Sequence, residues 1–198
     1  MKNIIVLIGV LFLVGCFETQ KIPGDLVKWV ENPDNGLCRE KTVGDFTIFA
    51  QYKPLSYIIC SETRNKTLTE ENYIAREREL SGMEYFQVRL QTPNPDPLIY
   101  GGSDQNSYHM RNDFLMFGQK DHICLLRGAD TVACSMYQFV NYQGLAPYAD
   151  ILLGFRSDST KLDSDRELIY DDQVFGLGPV HFTFTSDEIE SVPQLELN

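Results

Sequence analysis

His122-Ile123-Cys124 places an imidazole and a thiol two residues apart, on one face of an extended strand. That pair has the chemistry of a metal ligand set, but the spacing of Cys38, Cys60, Cys124 and Cys134 fits no zinc pattern. A packed histidine beside a buried thiol is the expectation, and no metal is assigned. A nucleophile drawn from Cys124 or Cys134, with His109 or His181 as base, needs an accessible thiolate of low pKa. The neighbours Ile123, Leu125, Val132 and Ala133 are apolar, which favours structural cysteines instead. Asp158, Asp163, Asp165 and Glu167 bunch in one polar stretch, and Asp163-Ser164-Asp165 has the alternation of hard-cation ligands. Calcium takes about six to eight oxygens from a loop that wraps it. This stretch has no glycine for the sharp bend, so a solvated acidic loop is expected. Gly176-Leu177-Gly178 runs into a proline and a strand, which denies its amides a helix dipole for phosphate. With no G-x-S-x-G elbow, H-E-x-x-H helix, P-loop or dinucleotide fingerprint, no catalytic residue and no cofactor are expected.

Binding chemistry is better represented. The stretch "YQFVNYQGLAPY" sets Tyr137, Tyr142 and Tyr148 among Asn, Gln, Gly and Pro, a composition found at recognition surfaces. These tyrosines form the expected partner surface. Other aromatics recur along strands, where half of each strand faces a core.

The elements that position these residues read as strands joined by tight turns. "LCREKTV" and "FTIFAQY" flank Gly44-Asp45 as a hairpin, and "EYFQVRLQT" alternates as a strand. "DILLGF" and "LIY" read as further strands, and "VHFTFT" sets His181, Thr183 and Thr185 against Phe182 and Phe184. "TLTEENYIAREREL" is the clearest helix, with Thr67 and Glu70 at capping-box spacing and a narrow apolar stripe. Ser103 is a candidate cap for a second, and Thr185 with Glu188 has capping-box spacing for a short terminal one. "HICLLRGADTVACSMYQFV" reads as a hairpin. A three-residue loop at Gly128-Ala129-Asp130 would set Cys124 opposite Cys134 within disulfide range, whereas a two-residue turn at Gly128-Ala129 would slip the pair out of opposition. The pattern predicts an α+β, mainly antiparallel β-sheet single domain with two or three short helices.

The amino terminus is of another kind. Lys2 precedes an uncharged run from Ile4 to Gly15, whose 12 residues fall short of the roughly 20 that span a membrane. Leu13-Val14-Gly15-Cys16 closes it and resembles the bacterial lipoprotein box. The resemblance implies removal of residues 1–15 and acylation of Cys16, leaving residues 16–25 as a lipidated tether and 26–198 as a β-rich globular domain. Two or more acyl chains anchor stably, whereas one holds only marginally. Phe17 stands where the enterobacterial pattern has an inner-membrane retention aspartate, and Glu18 is a single acid after the cysteine. The implied location is the outer membrane, on its periplasmic face. "NGLCREKTVGDFTIFAQYKPLSYI" and "YDDQVFGLGPVHFTF" are also similar to segments of Bacteroidota lipoproteins with no assigned activity, which transfers no catalytic residue. Asp130-Thr131-Val132 and Asp158-Ser159-Thr160 resemble the glycosylation motif of the same bacteria, making Thr131 and Ser159 candidate acceptors.

Charge narrows the partners. The 198 residues hold 17 basic and 28 acidic side chains. Loss of the signal removes 15 residues and one cation, Lys2, leaving 183 residues at a net −12. Such a surface disfavours nucleic acid, which rewards clustered cations. The expected partners are therefore the membrane, through the lipid, and a protein. The sequence suggests a non-catalytic binding protein, and the short leash suits an accessory subunit of an outer-membrane complex. An acidic immunity or inhibitor lipoprotein and a periplasmic hydrolase are the alternatives.

Overall fold

Among the described residues, alternation of apolar and polar side chains builds eight strands: β1 (Cys38–Val43), β2 (Phe46–Lys53), β3 (Met83–Gln91), β4 (Ile123–Arg127), β5 (Asp130–Asn141), β6 (Tyr148–Arg156), β7 (Arg166–Asp172) and β8 (Gly178–Phe184). All pair antiparallel in one sheet of order β1-β2-β3-β6-β5-β4-β7-β8. Among the described residues five α-helices accompany them: α1 (Pro23–Glu31), α2 (Leu55–Glu62), α3 (Glu70–Leu80), α4 (Gln105–Phe117) and α5 (Ser186–Glu190). The computed structural model describes residues 22–63, 67–102, 104–157 and 163–197. The lipoprotein box with Cys16, Ser103, Asp158 and Ser159 lie outside the described residues. No described helix is long and apolar enough to cross a membrane.

The expected single α+β domain, mostly antiparallel sheet, is what forms. Its inner face collects every second residue of successive strands. Phe46, Ile48 and Ala50 meet Phe86, Val88 and Leu90, then Ile151, Leu153 and Phe155, and finally Leu168, Tyr170, Val180, Phe182 and Phe184. The sheet curls until its edge strands face each other, nearly a barrel. No backbone ladder joins β1 to β8. Side chains close the seam instead: Arg39 Nε donates to Thr183 O at 3.0 Å, and its Nη2 reaches both Glu188 oxygens at 2.6 Å. Arg39 and Lys41 lie over the Phe184 and Phe182 rings at 5.6 and 5.8 Å.

A second apolar cluster joins α1, α2 and α3 to the sheet through Leu26, Val30, Tyr57, Ile59 and Leu80, with Tyr52 and Tyr85 packed against it. A third seats Leu115 of α4 against Leu98 and Ala149. Inside the sheet, Glu84 accepts from Arg166 Nε and Nη2 at 2.9 and 2.8 Å and also from Arg127 Nη2. All three charges are buried, and they are paired as buried ions must be. Burial, then the Glu84 charge, pushes the nearby Tyr52 hydroxyl up to about 12.

Several expectations need correcting. Five described helices replace two or three. Leu55–Glu62 is a short apolar run that composition cannot assign, and Pro54 at its N-cap turns it helical. Pro23 to Asp25, placed in the tether, open α1, where Pro occupies the first turn at no cost in hydrogen bonds. The cap of α3 is Thr69, accepting from Asn72 N at 3.3 Å, rather than Thr67. Either threonine has the chemistry; Thr69 directly precedes the first helical residue. Asp104 caps α4 through the amides of Asn106 and Ser107. The β4–β5 turn takes two residues, so Arg127 faces Asp130 and Cys124 faces Ala133. Cys124 and Cys134 therefore lie out of opposition on opposite faces, and Cys38, Cys60, Cys124 and Cys134 are free thiols. The capping box of Thr185 and Glu188 forms as expected.

Candidate functional site

Strand register decides which outward side chains become neighbours. Across β1, β2, β3 and β6 one row runs Cys38, Gln51, Gln87, Leu152, and the next runs Glu40, Phe49, Arg89, Asp150. Lys53 stands at the end of β2 beside the first row. The end of α1, with Glu31, and Tyr57 of α2 rise along one side; Tyr142, just after β5, rises on the other. The result is an open groove of about 560 Å³ on the outer sheet face. That volume falls in the range of small-ligand pockets, about 300–1,000 Å³.

Asp150 organises the floor. Its side chain is 5% exposed, so its charge must be met from within the protein. Arg89 meets it with two parallel bonds, Nε to Oδ1 at 2.7 Å and Nη2 to Oδ2 at 2.9 Å. The Tyr142 hydroxyl donates to Oδ2 at 2.9 Å. The guanidinium lies 3.7 Å over the Tyr148 ring, and Tyr148 packs edge-on to Tyr142 with centroids 5.2 Å apart. Burial and then the bond to Asp150 push the Tyr142 hydroxyl up to about 12. The Asp150 bond, working against burial, makes Arg89 harder to deprotonate.

The opposite wall is looser. Tyr57 donates to Glu31 Oε1 at 3.0 Å, and burial followed by the Glu31 charge raises its pKa. Lys53 Nζ lies 5.7 Å from the Tyr57 ring centroid. Among the described residues no carboxylate reaches ion-pairing distance of it. Burial lowers the pKa of Lys53, opposed first by the Asp150 charge. Cys38 directs its thiol to Val30 O at 3.5 Å, and burial raises its pKa.

Of the three tyrosines expected to make a partner surface, Tyr142 and Tyr148 come together here. Tyr137 does not: a bulge between Cys134 and Met136 shifts the phase of β5 and turns it inward, where its hydroxyl donates to Leu115 O. Thr131 is exposed near the start of β5, opposite Leu126. The histidines have partners other than the thiols. His181 meets Glu167 at 2.8 Å, His109 packs on Tyr108 and His122 on Phe114. Asp165 accepts from the Ser186 amide at 3.0 Å. Among the described residues no group of three His, Cys, Asp or Glu side chains is placed to hold a metal. Lys53, Gln51, Gln87, Arg89 and Asp150 escaped the sequence reading. Their signal is faint, a polar residue at alternate strand positions, and gains meaning once the register aligns them.

No protein-family model matches the chain, and neither does any curated protein or any solved structure.

Proposed function

We propose that this chain is a lipid-anchored cell-envelope protein that acts by binding, and that the groove across β2, β3 and β6 is its working surface. The observation that supports this most directly is the set of bonds around Asp150. A buried carboxylate held by Arg89 and Tyr142, with Tyr148 beneath the guanidinium, fixes the floor of an open groove rather than filling a core. Such preorganisation lowers the ordering cost of recognition. The anchor follows from the lipoprotein box at Cys16, with the outer membrane as its site. A short tether suits an accessory subunit of a membrane complex. Two cations, Lys53 and Arg89, line the groove against two acids, Glu31 and Asp150, so its balanced charge gives the acidic-inhibitor reading no support.

Two changes test this together. Cys16→Ser should release the protein from membranes and remove its acyl mass. Gln87→Trp points into the groove from an outward position and should fill it without touching the core. A partner that copurifies in mild detergent with the native chain should be lost with Gln87→Trp, while thermal unfolding stays unchanged. Retention of that partner by the filled groove would refute the assignment of the surface.

A further inference from the structure

We infer that the groove takes an acidic sugar, with Lys53 receiving the carboxylate and the Gln87 amide serving the ring hydroxyls; this rests on the groove being the working surface. Main-chain recognition is closed here. The floor strands β2, β3 and β6 are each paired on both sides, so their amides and carbonyls are committed to ladders and no strand can be added over them. A ligand must be read by side chains. Those on offer alternate in a way that suits a pyranose. Gln51 and Gln87 are direct cross-strand partners, each amide bringing donors and an acceptor of the kind that vicinal hydroxyls need. Phe49 and Leu152, half-buried and lining the same floor, give apolar ground for the C–H face of a ring. Among the described residues the Gln87 side chain has no hydrogen-bond partner, so it is available to a ligand.

Charge selects the acid. Arg39 turns to Glu188 at the seam and Arg89 is engaged by Asp150, which leaves Lys53, among the described residues, as the groove cation with no carboxylate at ion-pairing distance. The chain as a whole is −11 and repels anions at long range, so an anion would be held by this local ammonium. Burial of Lys53 weakens its hydration and lets a carboxylate compete for it. A neutral sugar would leave that ammonium unmet.

The test uses the full chain in mild detergent and a galacturonic acid disaccharide as probe, followed by calorimetry. Binding is expected, and the methyl-ester form of the same disaccharide, matched in ring and hydroxyls but uncharged, should bind at least tenfold more weakly. Lys53→Met should cost a similar factor for the acid and little for the ester, with thermal unfolding unchanged. Failure of the acid to bind, equal binding of acid and ester, indifference to Lys53→Met, or equal binding of a triglutamate peptide would each overturn the inference. The ester comparison uses the native chain, so it stands even if a variant misfolds. If the disaccharide fails while Gln87→Trp still loses the copurifying partner, the ligand class falls and the binding role remains. If Gln87→Trp loses nothing, the groove itself is refuted as the working surface.

Discussion

Cys38 and Cys124 sit half-buried on the outer faces of β1 and β4, whereas Cys60 is buried in α2 and Cys134 under the inner face of β5. Burial is the main cause raising each thiol above its ordinary range, Cys60 to about 11. A raised pKa leaves less thiolate at a given pH, so maleimide at pH 8 should modify all four more slowly than free cysteine. Access then sets the order: Cys38 and Cys124 first, Cys60 and Cys134 after unfolding. Peptide mass spectrometry reads that order directly, and Cys60 reacting as fast as Cys38 in the native chain would contradict the packing of α2. Saturating modification of Cys38 should also block capture of a partner, because its thiol lines the groove. At this scale part of the site was legible. Tyr142 and Tyr148 stand in a stretch rich in Tyr, Asn and Gln, a local signal. Lys53 and Arg89 look like any outward polar residue of a period-two strand, and what singles them out is which residue lies across the ladder.

Where β1 meets β8, the closing element is Glu188 of α5, held by Arg39 from one side and by the Thr185 amide at 2.9 Å from the other. Gly36 sits beneath it with φ +80°, and a Cβ there would overlap the Glu188 carboxylate. Gly36→Ala therefore meets two obstacles, a left-handed backbone costing about 1–2 kcal/mol and displacement of Glu188. Calorimetric unfolding should show a loss of at least that size. Acid should act on the same contact. Burial alone would raise the Glu188 pKa, but the bonds from Arg39 and Thr185 outweigh it and hold it below the ordinary 4.5. A depressed folded pKa contributes stability that is present above 4.5 and lost as pH falls through the lower folded value. Protection from hydrogen exchange over β8 and α5, taken relative to the intrinsic rate at each pH, should fall in that window and stay level with pH in Glu188→Gln. Most elements were readable because alternation and caps are local: β1, β2, β3 and α5 lie where the pattern puts them. The apolar run of α2 has no period to betray it. The one-residue slip of the β4–β5 hairpin came from turn geometry, since the same sequence serves a loop of two residues or three.

The nearly closed sheet holds its curl with charge at two places. The seam at Arg39 is half-exposed and joins edge strands; the cluster at Glu84 is buried and joins strands far apart in sequence. Glu84 opens β3, Arg127 ends β4 and Arg166 begins β7, while Arg127 Nη2 also reaches Arg156 O at the end of β6 at 2.9 Å. Period two in "EYFQVRLQT" puts Glu84 on the face of Phe86, Val88 and Leu90, and nothing local shows what answers a charge there. The answer lies 43 and 82 residues further on. Arg127 depends on this partner most. Its Nε is buried without a hydrogen bond, so Glu84 and the Arg156 carbonyl are what offset its desolvation. Glu84→Gln keeps the shape and removes the charge, taking from two buried guanidiniums the anion they share. Such losses run to about 3–5 kcal/mol, a large share of a single domain's stability. Urea unfolding should show a lower midpoint at an unchanged slope, the product of shift and slope giving a loss of that size. The triple variant Glu84→Leu, Arg127→Met and Arg166→Met removes all three charges of the cluster and should recover part of the loss, because apolar groups of similar volume carry no desolvation cost. A drop below about 1 kcal/mol for Glu84→Gln would mean that water reaches the cluster and that the sheet does not depend on it to stay curled.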